Sequence, residues 1–227
     1  FIRMPVQATS KTRRRRVGRP AGDDGDLRGR LLDVAAAQFA STGIAAASLR
    51  NIAQAAGVTP AMLHYYFGNK DALVRALVEE RLLPNVRPLV ETLGSAGETP
   101  LELAQAFAQG VSGIVAKLPW LPALWVREVL CEGGALREFV FREVMPSLPQ
   151  VLAQRFTAAH GAGQLAPGID PRLLVVSLVG LTLFPAAGAP IWQKAFGMPG
   201  LDMPALVSHT LALLAHGLAM PTPERSR

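Results

Sequence analysis

From Leu27 onward the apolar residues return every three or four positions, as Leu27, Leu31, Val34, Ala35 and Phe39. That period predicts an amphipathic helix ending near Ser41-Thr42-Gly43, with Gly43 suited to its C-terminal cap and Asp24 or Asp26 to its free N-terminal amides. A second helix is predicted from Ser48, an N-cap, with Leu49, Ile52, Ala53 and Ala56 on its inner face and Gly57 turning the chain out of it. A third follows at once: Thr59 is a good N-cap, and Pro60 occupies the first helical position, where its missing N–H costs nothing. Only about two turns fit before Phe67-Gly68. Asn69 then caps a fourth helix carrying Leu73, Leu77 and Val78.

The rest of the chain shows no strand-like alternation. Pro84 and Pro88 are expected to end or kink the fourth helix. Further helices are predicted near 101–118, 122–132, 135–160, 171–187 and 202–219, separated by Pro-Gly-Asp clusters such as "APGIDP". The fold class is therefore all-α: an N-terminal three-helix unit followed by a larger helical body. Residues 1–25 have no apolar period and end in "GDDGD", so they read as a flexible arm. The expected divisions are 1–25 for the arm, 26–72 for the three-helix unit, 73–220 for the body and 221–227 for a tail.

Charge sharpens this division. Nine basic side chains (Arg3, Lys11, Arg13, Arg14, Arg15, Arg16, Arg19, Arg28 and Arg30) stand in the first 30 residues against Asp23, Asp24 and Asp26, which accounts for the whole net charge of +6. A localised arginine cluster on a neutral body suits a polyanion, because each neutralised phosphate releases condensed counterions. A solvated tail is the plainer reading of the same run. Cys131 is the single cysteine, so no intrachain disulfide is possible, and it is expected to be a small buried apolar side chain. No apolar segment follows the basic start, so no secretory signal is expected and the protein is placed in the cytoplasm. Leu173 to Ile191 is free of charge for 19 residues, but Pro185, Gly188 and Pro190 interrupt it, favouring a buried or subunit-facing helix over a membrane span. No metal-ligand cluster, nucleophile elbow or phosphate-cradling glycine loop is evident, so no cofactor, metal or enzymatic activity is expected. His209 and His216, two turns apart, read as facing a subunit seam or solvent.

Two helices joined by a short glycine-containing turn form a helix-turn-helix, whose second helix can enter the DNA major groove. On the third helix Leu63 and Phe67, four apart with Met62 beside them, would face inward, leaving Thr59, Pro60, Ala61, His64 and Tyr65 outward with Tyr66 flanking. Hydroxyls of Thr59 and Tyr65 suit phosphate oxygens, His64 a base edge or phosphate, and Pro60 and Ala61 a thymine methyl. Lys70 lies in the first turn of a helix, where the dipole disfavours a cation, and an anion bound there would account for it.

After an amphipathic helix ending in "TG", the stretch "SLRNIAQAAGVTPAMLHYYFGNKDALV" resembles the DNA-binding domain of TetR-family transcriptional repressors, over roughly residues 27–80. The resemblance implies that Arg50, Thr59, His64, Tyr65 and Lys70 touch double-stranded operator DNA while Leu63 and Phe67 are structural. One departure is that the family's common "YYHF" appears as His64-Tyr65-Tyr66-Phe67, with the histidine moved forward. "RRRRVGRP", Arg13 to Pro20, resembles the basic extensions of such regulators, and Gly18-Arg19-Pro20 is faintly similar to AT-hook minor-groove binders. Non-specific phosphate attraction is the larger expected term for Arg13, Arg14, Arg15, Arg16 and Arg19.

The family's C-terminal domain binds a small apolar or amphipathic molecule and forms a homodimer through its last two long helices. Here 171–187 and 202–219 are the dimer candidates, being more apolar than one buried stripe demands, with Gly180 and Ala212 permitting close approach. Phe107, Trp120, Trp125, Phe139 and Phe156, with Glu128, Arg127 or His160 as polar anchors, are candidate lining for a hydrophobic effector pocket. Each also reads as ordinary core or surface. The expected function is an operator-binding regulator, a repressor released by a small hydrophobic effector. The competing reading is a helical hydrophobe- or lipid-binding protein that uses its basic arm on anionic membranes.

Overall fold

The computed structural model describes residues 23–198 and 202–218, and among these every regular element is helical. The basic arm, with Arg13 to Arg16 and Arg19, lies outside the described residues. So do the side chains of Asp24 and Asp26, to which the first helix cap was assigned.

Helices α1 (Asp23–Thr42), α2 (Leu49–Ala55) and α3 (Pro60–Phe67) form the N-terminal unit. Leu27, Leu31, Ala35 and Phe39 are buried as their spacing requires, and they close on Ile52, Ala53, Leu63 and Phe67. Caps set the helix starts. Ser48 Oγ accepts from the Asn51 amide (3.1 Å), and Thr59 Oγ1 accepts from the Met62 amide (3.3 Å). Between α2 and α3 the chain reverses at Gly57, whose φ of +69° favours a residue without Cβ.

Helix α4 (Lys70–Leu77) starts at Asn69, whose Oδ1 accepts from the Ala72 amide (2.8 Å). Pro84 and Pro88 do not end this rod. The chain stays helical through a π-turn, Val78–Leu82, into α5 (Leu83–Ser95). Prolines cannot donate to the preceding turn, and Pro84 falls in the first turn of α5, where no donation is needed. Leu83 N–H instead reaches back to Val78 O, five residues away.

The body continues with α6 (Pro100–Lys117) and α7 (Leu121–Trp125), the latter leading into a second π-turn, Val126–Leu130. The single helix expected over 135–160 is two. A short α8 (Arg137–Phe139) runs into a third π-turn, Val140–Val144, and α9 (Leu148–Gly161) follows a break around Pro146. Pro146 cannot donate a backbone hydrogen bond, and Pro149 suits the first turn of a new helix. Helix α10 (Pro171–Ala187) is followed by α11 (Ala189–Phe196), which sequence patterning missed, and by α12 (Met203–Leu218). Helices α10 and α11 are bent 70° at Gly188, and among the described residues no single helix is long and apolar enough to cross a membrane. Phe107, Leu152, Phe156 and Leu178 anchor the body's core. Cys131 is exposed rather than buried, because it ends the second π-turn on a surface loop.

Candidate nucleic-acid interface

Helix α3 presents one buried and one open face. Leu63 and Phe67 are buried, while Thr59, Pro60, Ala61, His64 and Tyr65 are exposed. Tyr65 is 84% exposed, so no folding gain from burial explains a ring there. It touches Tyr66 edge-to-face at 5.4 Å between centroids. His64 Nδ1 lies 2.5 Å from Gly68 O. A carbonyl only accepts, so Nδ1 carries the hydrogen, and in the neutral ring Nε2 is left as an outward acceptor. On α2, Arg50 is exposed two positions inside the Ser48 cap.

Lys70 sits differently from the phosphate-facing position expected of it. Its Nζ donates to the carbonyls of Ile44 (2.8 Å), Ala45 (2.9 Å) and Ala47 (3.2 Å) in the α1–α2 loop. An ammonium has three donors, and all three are engaged. The negative partner sought for a cation at a helix start is thus supplied from within the chain, by three carbonyl dipoles.

A second cation organises the other end of α3. Arg28 donates to Tyr66 O (2.9 Å), lies over the Phe67 ring at 4.5 Å, and grips Glu80 through Nε (3.1 Å) and Nη2 (2.5 Å). The hydrogen bond to Glu80 raises the Arg28 guanidinium above its ordinary value. Neighbouring Arg81 donates to Asp33 (2.8 Å) and to Gly29 O (2.9 Å). Both Glu80 and Arg81 belong to the π-turn between α4 and α5. Pairs at such distance in sequence gave no signal in the chain's local pattern.

Of the six expected pocket residues, four belong to or pack on the body's core, and none lines either of the two concavities described below. Phe107 and Phe156 are buried in the body's core, and Trp120 touches both cores. Phe139 packs on the core of the N-terminal unit, and Trp125 on that of the body with its indole N–H buried and without a partner. The Glu128 carboxylate is occupied by two backbone amides, Ile44 (2.8 Å) and Ala135 (3.0 Å). Concavities occur elsewhere, along α5 and α6. One of about 430 Å³ is lined by Pro84, Pro88, Leu89, Ile114, Gln109 and Lys117 among others, and a more polar one of about 620 Å³ adjoins it at Ala106 and Gln109.

A capped two-helix motif joined by a glycine turn, with an outward aromatic and histidine, has helix-turn-helix geometry. The family model described as "Bacterial regulatory proteins, tetR family" matches residues 31–77. A probable acrEF/envCD operon repressor of Escherichia coli (strain K12) is 29% identical over 192 residues, covering 81% of this chain and 84% of the relative. Among solved structures, NalD, the secondary repressor of the MexAB-OprM multidrug efflux pump in Pseudomonas aeruginosa, aligns with a TM-score of 0.59 at 24% identity, covering 87% of this chain and 98% of NalD. The transcriptional regulator FadR from Bacillus subtilis, in complex with stearoyl-CoA, aligns with a TM-score of 0.62 at 21% identity, covering 84% and 98%. Over residues 31–77 the chain thus carries the helix-turn-helix segment of the TetR family of transcriptional regulators, a family of DNA-binding proteins and not of enzymes.

Proposed function

We propose that this regulator is a homodimeric repressor that reads an operator with the α2–α3 unit of residues 26–72 and is released by a small hydrophobic effector bound in the body, residues 73–220. The observation that carries it is the outward face of α3, where Tyr65 stands exposed beside Thr59, Pro60, Ala61 and His64. Tyr65, Thr59 and Arg50 bond phosphates, Pro60 and Ala61 meet a thymine methyl, and His64 Nε2 accepts from a base amino group such as adenine N6 or cytosine N4. Lys70 acts through the loop it holds. Arg13, Arg14, Arg15, Arg16 and Arg19 add sequence-independent phosphate attraction.

Two stripes support pairing. On α10, Leu173, Val176, Gly180 and Phe184 recur at three- and four-residue spacing and are all exposed, and on α12 Ala205, His209, Ala212 and Leu213 are exposed in the same way. A Cβ added at Gly180 would meet nothing within 4 Å, leaving room for a second helix. The effector reading draws on the stearoyl-CoA bound to FadR and on the efflux-pump setting of NalD. Its coupling to DNA would be about 1–3 kcal/mol, and operator must weaken effector binding by the same factor.

Titration of the pure chain with duplex DNA and with anionic vesicles tests the reading. It predicts retardation of duplex with an affinity that falls steeply with salt, and a dimer in sedimentation. Sedimentation with vesicles and no retention of duplex would favour the lipid-binding alternative.

A further inference from the structure

We propose that Glu128 is a positioning residue for DNA reading: it fastens the loop between α1 and α2 to the body, and that loop sets where α2 and α3 stand. The proposal rests on the operator-reading role given above. Glu128 is only 5% exposed, and its two oxygens accept from different segments. Oε2 accepts from Ala135 N–H of its own loop (3.0 Å), and Oε1 crosses to Ile44 N–H of the N-terminal unit (2.8 Å). The other side of residue 44 is also taken, since Ile44 O accepts from Lys70 Nζ (2.8 Å). Residue 44 is thus held between a carboxylate from the body and an ammonium from the start of α4.

The consequences reach both reading helices. Lys70 also holds Ala47 O (3.2 Å), one residue before Ser48, the cap of α2, and Lys70 itself follows α3 by three residues. The start of α2 and the end of α3 are therefore referenced to one loop, and that loop to Glu128. A loop ordered before DNA arrives need not be ordered at binding, so the fastening favours the operator, which demands a fixed geometry. Random duplex, held chiefly by phosphate charge, demands it less.

Glu128 is itself built into an irregular helical element. It lies in the π-turn Val126–Leu130, closed by Cys131 N–H on Val126 O (3.1 Å). The following loop folds back so closely that a Cβ on Gly134 would lie 2.3 Å from Glu128 O, and Leu136 N–H donates to that oxygen (3.1 Å). A π-turn carries one residue more than the α-helix it interrupts, and such turns are frequent at functional sites. Relaxing it to α-helical register would rotate the side chain by about 100° and withdraw the carboxylate from Ile44. The other π-turn that grips the N-terminal unit, Val78–Leu82, carries Glu80 and Arg81, so two of these turns supply polar ties between the body and α1 with the loop that follows it.

The test uses the full chain, a duplex that wild type selects from a random pool, and a scrambled duplex. Glu128→Ala should weaken the selected duplex about tenfold, the lower part of the range for a buried amide left unsatisfied, and the scrambled duplex less than about twofold. Amide exchange at Ile44 should quicken. Glu128→Gln keeps one acceptor oxygen and should fall between. Lys70→Ala combined with Glu128→Ala should be no weaker than the worse single variant, because both act through one loop. Wild-type preference in both Glu128 variants, or equal weakening on both duplexes, overturns the positioning role while leaving DNA reading intact. A wild-type protein without preference between the duplexes overturns the operator reading itself.

Discussion

Side-chain caps start helices in both regions, at Ser48 and Thr59 in the N-terminal unit and at Thr99 and Asp170 in the body, but the two regions differ in how regular their helices are. In the N-terminal unit, α2 and α3 begin at Ser48 and Thr59 and, with α4 starting at Asn69, meet one apolar core centred on Phe39 and Leu63. In the body, helices run through π-turns and prolines, and α10, α11 and α12 leave Val176, Phe184, Ile191 and Leu213 in the open. A capped three-helix unit has little freedom and presents fixed chemistry. A body with π-turns and an apolar face open on the single chain suits the pairing and release proposed above. The two regions are joined by shared packing, since Leu124 and Leu136 of the body sit in the N-terminal core, and by the ties at Glu80, Arg81 and Glu128.

The largest expected effect tests whether that junction makes the regions one folding unit. Phe39→Ala should cost about 3–5 kcal/mol, as emptying a fully buried aromatic site does. Because the core is shared, denaturation followed by a reporter in the body should shift along with one in the N-terminal unit. Two separate transitions, with the body unmoved, would mean the regions fold independently.

The open face gives the next effect. Val176→Glu places an unpaired charge in the proposed seam, where burial of a lone charge costs several kcal/mol. Sedimentation should then report monomer, with monomer stability near wild type, because Val176 is 66% exposed within one chain. An unchanged dimer would move the interface elsewhere.

How far these regions were legible in the sequence follows from the reach of the interactions. Ser48, Thr59 and Asn69 could be read as caps because each bonds an amide three residues on. Lys70 could not be read so well, since its partners lie 23 to 26 positions back, nor could Glu128, whose amide partner is 84 positions away. Glu128 was singled out as a pocket anchor, while the structure gives its carboxylate to two backbone amides. Helix α11 was hidden by Pro190, which punctuates a pattern yet suits a helix's first turn. Pocket residues stayed illegible because apolar lining and apolar core draw on the same side chains: Phe107 and Phe156 are core.

A smaller effect sharpens the account of capping. Thr59→Ala should cost about 1 kcal/mol of stability through the lost bond to the Met62 amide. If Thr59 also meets phosphate, operator affinity should fall further than Thr59→Ser makes it fall, since serine keeps the hydroxyl. Thermal melts and duplex titrations of both variants would separate the two roles.

The smallest effect is electrostatic and lies in the body. Asp170 caps α10, and its bond to the Arg172 side chain, with that residue's amide, holds the carboxyl at about 2 instead of its ordinary 3.8. A depressed folded value means the contribution is complete above pH 4 and is lost as pH falls through about 2. Asp170→Asn should therefore be slightly less stable than wild type above pH 4 and indistinguishable near pH 2, as acid titrations of thermal stability would reveal. A constant gap across that range would assign the effect to packing.

The central claim is that two copies of one capped helix pair read DNA sequence. Selection of duplexes from a random pool by the pure full-length protein, followed by sequencing, tests it most directly. The account predicts enrichment of an inverted repeat whose half-sites are centred about one helical turn apart, 10–10.5 base pairs, or a multiple of it. The same selection with His64→Ala should change the preferred bases at matching positions in both half-sites. A pool that emerges with no motif, or with a single unrepeated half-site, would contradict it.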